Sequence, residues 1–394
     1  MKYGLRATKF SFFAYSIVAF LVSASSALTS QAETALPKFE VVPDWVQLPE
    51  NVRLGQVSGL SIDQNDNVWI LQRPNSWRYT EADYLPLTSS DTCCRGAPHV
   101  LQLSPGGEIL NAWGGPGRVS DNGVDSPRWP NNVHGLFVDH NDTVWIGGNG
   151  DDDHLVLNFS ADGTLLRALG ERDRTAGNLS ETALGNPADI FVDEERGEVF
   201  IADGYINKRI VGFDLESGAF RRLWGAYATE PGSETRDQPF DQSQATNASD
   251  GGANPTSTRF GDIVHCIEQG PDGLIYVCDR RNNRIQVFDV NDSDEIEFVQ
   301  NLPIAPESGG PRSATDIAFS PDGEFMYVAD MANSRIWILD ASSYQTLGHF
   351  GGGTGTDPGQ FIWLHSVAVD SEGNVYTSEV NRGRRVQKFA IQPN

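Results

Sequence analysis

Three histidines carry the chemistry that this sequence suggests. His134, His265 and His365 each stand second in a recurring strand opening: VHGLFVD (133–139), VHCIEQG (264–270) and LHSVAVD (364–370). Any one of them alone reads as an ordinary buried histidine with a hydrogen-bond partner. Three in register are a different matter, because three imidazoles with an open fourth position describe a catalytic zinc site. The other openings, VSGLSID (57–63), PADIFVD (187–193) and ATDIAFS (314–320), put Ser58, Ala188 and Thr315 at the same position. Histidine therefore occupies repeats 2, 4 and 6. His99, His140, His154 and His349 fall outside the register and read as structural.

The elements that must position these side chains are all strands. Each opening is followed by a partner strand such as NVWIL, TVWIG, EVFIAD, LIYVCD, FMYVAD or NVYTSE, then by a third such as RIVGFD, RIQVFD, RIWILD or RVQKFA. A period of roughly 40–50 residues built only from strands predicts an all-β, six-bladed β-propeller with one four-stranded sheet per blade. The first strand of each blade lines the central channel, so histidines on alternate blades approach the axis at about 120° intervals. Residues 38–48, KFEVVPDWVQL, are expected to supply the outer strand of the last blade and close the ring.

Bulk properties narrow the setting. Lys2, Arg6 and Lys9 precede an apolar run from Phe10 to Val22, and Ser30-Gln31-Ala32 offers a cleavage site, which predicts a signal peptide over 1–32 and a propeller over 33–394. The apolar run is too short for a comfortable membrane span. A secreted or periplasmic protein without a membrane span is expected. The formal charge of −24 argues against a nucleic-acid partner. Cys266 and Cys278 lie on neighbouring strands, where a disulfide is conceivable in an oxidising compartment, while the vicinal Cys93-Cys94 leaves the pairing open. Oligomeric state is not legible.

Loops joining second to third strands lie on the histidine face, and so are expected to do two long segments, 74–98 and 226–262. Asp, Asn and a later Arg recur in the shorter loops (Arg209, Arg284, Arg335) and read as bracing residues. Positions that differ between blades are the better functional candidates. Blade 3 has an extra residue in DGYINKR, which presents Tyr205; blade 4 carries Arg280 where blade 5 has Met331; blade 1 carries Arg73 in LQRPN. A phenol beside a cation is a candidate base, and arginine holds carboxylates through paired hydrogen bonds.

With these residues in place, the chain resembles the NHL-repeat propellers and in particular the peptidyl-α-hydroxyglycine α-amidating lyases, over about residues 50–390. The likeness rests on HGL at His134, the 203–211 segment, the run from His265 to DRRNNRIQ, and His365. It implies zinc on His134, His265 and His365, Tyr205 as base, and Arg73 and Arg280 serving the site on a small-molecule or peptide substrate. It also implies a structural calcium held by an Asp after the last histidine. Here Ser366 stands in that place, leaving backbone carbonyls at Val57 and Leu136, and Trp363 replaces the family's methionine. Three function classes follow: the lyase, another zinc-dependent hydrolase or lyase on a small molecule, and a non-catalytic NHL binding scaffold.

Overall fold

The chain is described by a computed structural model over residues 1, 4, 36–74, 76, 94–119, 128–232, 253–291, 295–308 and 310–393. It divides into two compact units, Met1–Ala35 and Leu36–Asn394, and every strand among the described residues belongs to the second. The expected signal peptide lies almost wholly outside the described residues, as do Cys93 and the greater part of the loops 74–98 and 226–262.

Six four-stranded antiparallel sheets succeed one another along the chain. Numbered as blades 1 to 6, they begin with the inner strands Gln56–Ile62, Val133–Val138, Asp189–Asp193, Val264–Gln269, Asp316–Phe319 and Leu364–Val369. Inner strands of successive blades touch in order, and that of blade 6 touches that of blade 1. The outer strand of blade 6 is Lys38–Val42, paired with Val386–Gln392 as expected. An N-terminal strand thus completes a sheet made of C-terminal ones and latches the ring of blades closed.

Apolar residues occupy both faces of most strands because each blade is sandwiched between two others. In blade 3, Val199 and Ile201 pack toward blade 2, whereas Phe200 and Ala202 pack toward blade 4. The two-residue alternation of a strand thus divides its side chains between two cores. Six such clusters result, one at each blade interface. The Asp that ends most inner strands fixes the following turn: Asp63 and Asp139 accept from the indoles of Trp69 and Trp145, each at 2.9 Å. Gly273 and Gly323 supply the left-handed residue of the Pro-Asp-Gly turns.

The bracing arginines behave as expected in two blades. Arg209 and Arg284 are wholly buried and pair with Asp203 at 2.9 Å and Asp279 at 2.7 Å. Their remaining donors grip carbonyls of the preceding inter-blade connection, Asn178 and Ala183 for Arg209, Pro255 and Arg259 for Arg284. Arg335 departs from this. The indole of Trp337 takes the Asp330 carboxylate at 2.8 Å, and the Arg335 guanidinium lies over the Trp337 ring. Cys266 and Cys278 face one another across the first two strands of blade 4 and form a disulfide.

Candidate metal centre

The pairing register shifts at the start of the inner strands of blades 1, 2, 4 and 6, between Val57 and Gly59, Val133 and Leu136, Val264 and Cys266, and Leu364 and Ser366. Three of these bulges hold the histidines. A bulge re-aims a side chain that plain alternation would place between blades, and here it turns the imidazoles toward the axis. Their ring centroids lie 5.0 Å (His134–His265), 4.7 Å (His134–His365) and 4.8 Å (His265–His365) apart, a nearly equilateral triangle.

The histidine-free blades serve the triad through their backbone. His134 Nδ1 donates to the Ala188 carbonyl at 2.8 Å, and His265 Nδ1 to that of Thr315 at 2.7 Å. His365 bonds the backbone of Ser58. Each histidine is thus held by the residue at its own register position in the next blade. Bonding to a carbonyl fixes the proton on Nδ1 and leaves Nε2 as a lone-pair donor. Gly135 makes this approach possible, since a Cβ there would lie 2.5 Å from the Ala188 oxygen.

All three imidazoles are buried, and all are held neutral. Burial lowers the His134 pKa to about 3, with the Arg73 charge adding to the effect. Burial, then Arg280, lowers that of His265, and burial, then His134 and Arg73, that of His365. His134 Nε2 and His365 Nε2 stand 3.1 Å apart, and His265 Nε2 has no hydrogen-bond partner. Facing lone pairs and an orphaned buried nitrogen are a donor set that a metal ion would satisfy. The three ligand atoms lie within 4.8 Å of one another.

The other predicted residues surround this triangle. Tyr205 places its hydroxyl 2.6 Å from His134 Nε2 and also bonds Arg280. Gly204 allows it, because a Cβ there would meet the Val264 carbonyl oxygen at 1.9 Å. Arg73 bonds the Val133 carbonyl at 3.0 Å and Gln56 Oε1 at 2.8 Å. Together these side chains line a chamber of 190 Å³ with His134 and His365. Sequence reasoning missed Asn149, Asn381 and Arg312 in the same wall. Register was the available signal for Asn149, which follows the second strand of blade 2 as Arg280 and Met331 follow those of blades 4 and 5, and for Asn381, which like Tyr205 stands two residues beyond the end of its strand. Arg312 lies in the connection between blades 4 and 5, which has no repeat to align. The histidines also line the channel proper, a cavity of 320 Å³ holding Asp189, Glu268 and Asp316. Ser366, at the position where the resemblance led one to expect an Asp, lies beside His365 and bonds Asp316.

Comparison with known proteins agrees with this architecture. The family described as lactonase, 7-bladed β-propeller, matches residues 175–350. NHL repeat-containing protein 3 of Homo sapiens is 27% identical over 300 residues, covering 74% of this chain and 72% of that protein. This chain is thus a β-propeller whose sequence is similar to those of the lactonase and NHL-repeat propellers. It has six blades among the described residues where the matched description has seven. Its relatives include peptidyl-α-hydroxyglycine α-amidating lyase 1 of Drosophila melanogaster, 26% identical over 365 residues, covering 86% of this chain and 58% of that one. The propeller therefore spans little more than half of that lyase. A β-propeller domain of Myceliophteria thermophila superposes with a TM-score of 0.50 at 9% identity, over 91% of this chain and all of that one, which shows the fold alone. Among the described residues no helix is long and apolar enough to cross a membrane.

Proposed function

We propose that the propeller is a zinc-dependent lyase that cleaves the carbon–nitrogen bond of an α-hydroxyglycine, releasing an amide and glyoxylate. The observation that carries this reading is the convergence of three neutral, buried Nε2 donors with the Tyr205 hydroxyl 2.6 Å from one of them and Arg280 bonded to that tyrosine. The likeness to amidating lyases supports the substrate class. His134, His265 and His365 would hold the ion, which as a Lewis acid makes a substrate hydroxyl more acidic. Tyr205, acting as the phenolate, accepts the hydroxyl proton, and the oxygen's electrons form the carbonyl as the C–N bond breaks. The nitrogen keeps the bonding pair and takes that same proton back from Tyr205 to become the amide, which returns the base to its starting state. Arg73 and Arg280 hold the carboxylate and keep the reacting carbon in place. The signal peptide expected over 1–32 would place this activity outside the cytoplasm.

Incubating the zinc-loaded protein with an α-hydroxyglycine peptide is expected to release glyoxylate, and His134→Ala is expected to lose both metal and turnover. A loaded protein that releases none excludes this substrate class. The lactonase match favours a second reading, a zinc-dependent hydrolase of lactones or esters. Turnover of a lactone panel without glyoxylate release would establish it instead. Absence of stoichiometric metal after purification without chelator would leave the non-catalytic NHL scaffold.

A further inference from the structure

The central channel carries charges that the proposed chemistry does not use. Successive positions of the strand openings run progressively deeper into it, away from the chamber. The histidines stand second in their openings, Asp189 and Asp316 third, Glu268 fifth, and Asp63 and Asp139 seventh. Asp189, Glu268 and Asp316 line the same 320 Å³ cavity as the three histidines. A further cavity of 560 Å³ shares Ile62, Phe137, Val138, Gln269 and Val369 with it and holds Asp63, Asp139, Glu194 and Glu195 at the far ends of the inner strands. No lysine or arginine lines either cavity among the described residues.

The triad presents itself differently to its two sides. The chamber is lined by His134 and His365 but not by His265, and there the Tyr205 hydroxyl covers His134 Nε2 at 2.6 Å. All three histidines line the channel. His265 is only 4% exposed and its Nε2 has no hydrogen-bond partner, so a buried lone pair belongs to the acid-lined side. The acids themselves are held by backbone donors. Asp189 Oδ2 accepts from the Ile267 N–H at 3.1 Å, Asp316 Oδ2 from that of Val367 at 2.9 Å, and Glu268 Oε1 from that of Gln269 at 3.1 Å. Burial, and with it repulsion from Asp316, raises the pKa of Asp189 and Glu268, a strain of charge that a passing cation relieves.

We propose that the channel is the loading passage of the metal centre, in which Glu194 and Glu195 at the mouth and Asp189, Glu268 and Asp316 within conduct a divalent cation to the histidine triad from the side opposite the substrate chamber. This rests on the metal-binding part of the lyase reading and not on its substrate. A cleft lined by charge of one sign between apolar walls focuses the field and concentrates counter-ions, and Ile62, Phe137, Val138 and Val369 supply the walls here. Carboxylates take the place of water around the incoming ion, and imidazole suits zinc better than carboxylate does, so transfer runs toward the triad. Loading from this side leaves Tyr205 and the chamber undisturbed.

The test mixes chelator-stripped protein with cobalt(II) chloride and follows the visible absorption of the histidine-bound ion with time, His134→Ala showing which absorption belongs to the triad. The parent is expected to take up cobalt at a rate that falls as salt is added. In the triple variant Asp189→Asn, Glu268→Gln, Asp316→Asn the rate constant is expected to fall roughly tenfold or more, with the final absorption unchanged. Glu195 is exposed, so Glu195→Lys tests the mouth without disturbing the buried acids; it is expected to slow uptake about threefold. Uptake at the parent rate in either folded variant overturns the passage. So does a further ion that persists in His134→Ala, because the acids are then a terminus. No uptake in any form removes the metal centre as well. Glyoxylate release by the loaded parent is assayed separately. Slowed loading of the variants with no glyoxylate from the parent removes the lyase and keeps the passage, whereas glyoxylate release with unchanged loading rates does the reverse.

Discussion

At the scale of single residues, the contact that matters most joins Tyr205 to His134. A phenol 2.6 Å from Nε2 occupies the lone pair that a metal ion would take. Once that nitrogen is engaged, the substrate hydroxyl becomes the phenol's natural partner. Tyr205→Phe removes one oxygen and keeps the ring against His134. It is expected to lower kcat by about 10²–10⁴-fold, the usual contribution of a positioned acid or base, with metal content unchanged. Atomic absorption alongside glyoxylate assays would measure both, and a kcat within a few-fold of the parent would remove Tyr205 from the role of base. All the site residues inferred from sequence lie around the triangle. Arg73, His134, Tyr205, Arg280 and His365 line the chamber, and His265 completes the triad from the channel side. Register placed the histidines, because in a propeller equal register means equal height and radius, and departures from the repeat singled out Tyr205, Arg73 and Arg280. The backbone partners of the histidines were not legible, since a carbonyl has no side-chain signature.

At the scale of elements, bulges and loops do the aiming. The register shifts in blades 2, 4 and 6 turn the histidines inward, and alternation of residue types along a strand gives no sign of an inserted residue. The loops that carry Tyr205 and Arg280 are anchored by the buried pairs Asp203–Arg209 and Asp279–Arg284. Arg284→Met would leave Asp279 charged and buried without its counter-ion, and would take a donor from the carbonyls of Pro255, Ser257 and Arg259. Breaking such a pair is expected to cost about 3–5 kcal/mol. Denaturant unfolding would show it, and a loss under about 1 kcal/mol would mean that the arginine grips little. Arg335 shows the limit of reading by repeat: it keeps its place in the pattern, yet the neighbouring Trp337 takes its partner. A competing donor two residues along the strand decides that outcome, and only packing shows which one wins.

At the scale of the whole molecule, closing the ring creates a channel that gathers acids from separate blades. Burial raises the pKa of Glu268 to about 8 and that of Asp316 to about 7, and burial followed by the Asp316 charge raises that of Asp189. For a carboxyl raised on folding, the native state holds the proton longer, so stability is greatest below the unfolded value and is lost as pH climbs through the folded one. Lowering the pH from 8 to 6 is therefore expected to stabilise the protein through Glu268. The gain is about 1–2 kcal/mol, below the limit of about 1.36 kcal/mol per pH unit for one proton because the channel partly hydrates the group. Glu268→Gln should flatten that part of the pH profile in thermal unfolding, and an unchanged slope would clear Glu268 of the effect. Composition, period and register in the sequence by themselves determined the strands, the six blades, the closing N-terminal strand and the alternation of the histidines, because those features repeat along the chain. The pairing of each imidazole with the next blade's backbone, the arginine-lined chamber with Arg312 in its wall, and the acid cluster below it were decided only by tertiary structure. Each joins residues from different blades, and nothing local in the chain records which of its distant parts a closed ring will bring face to face.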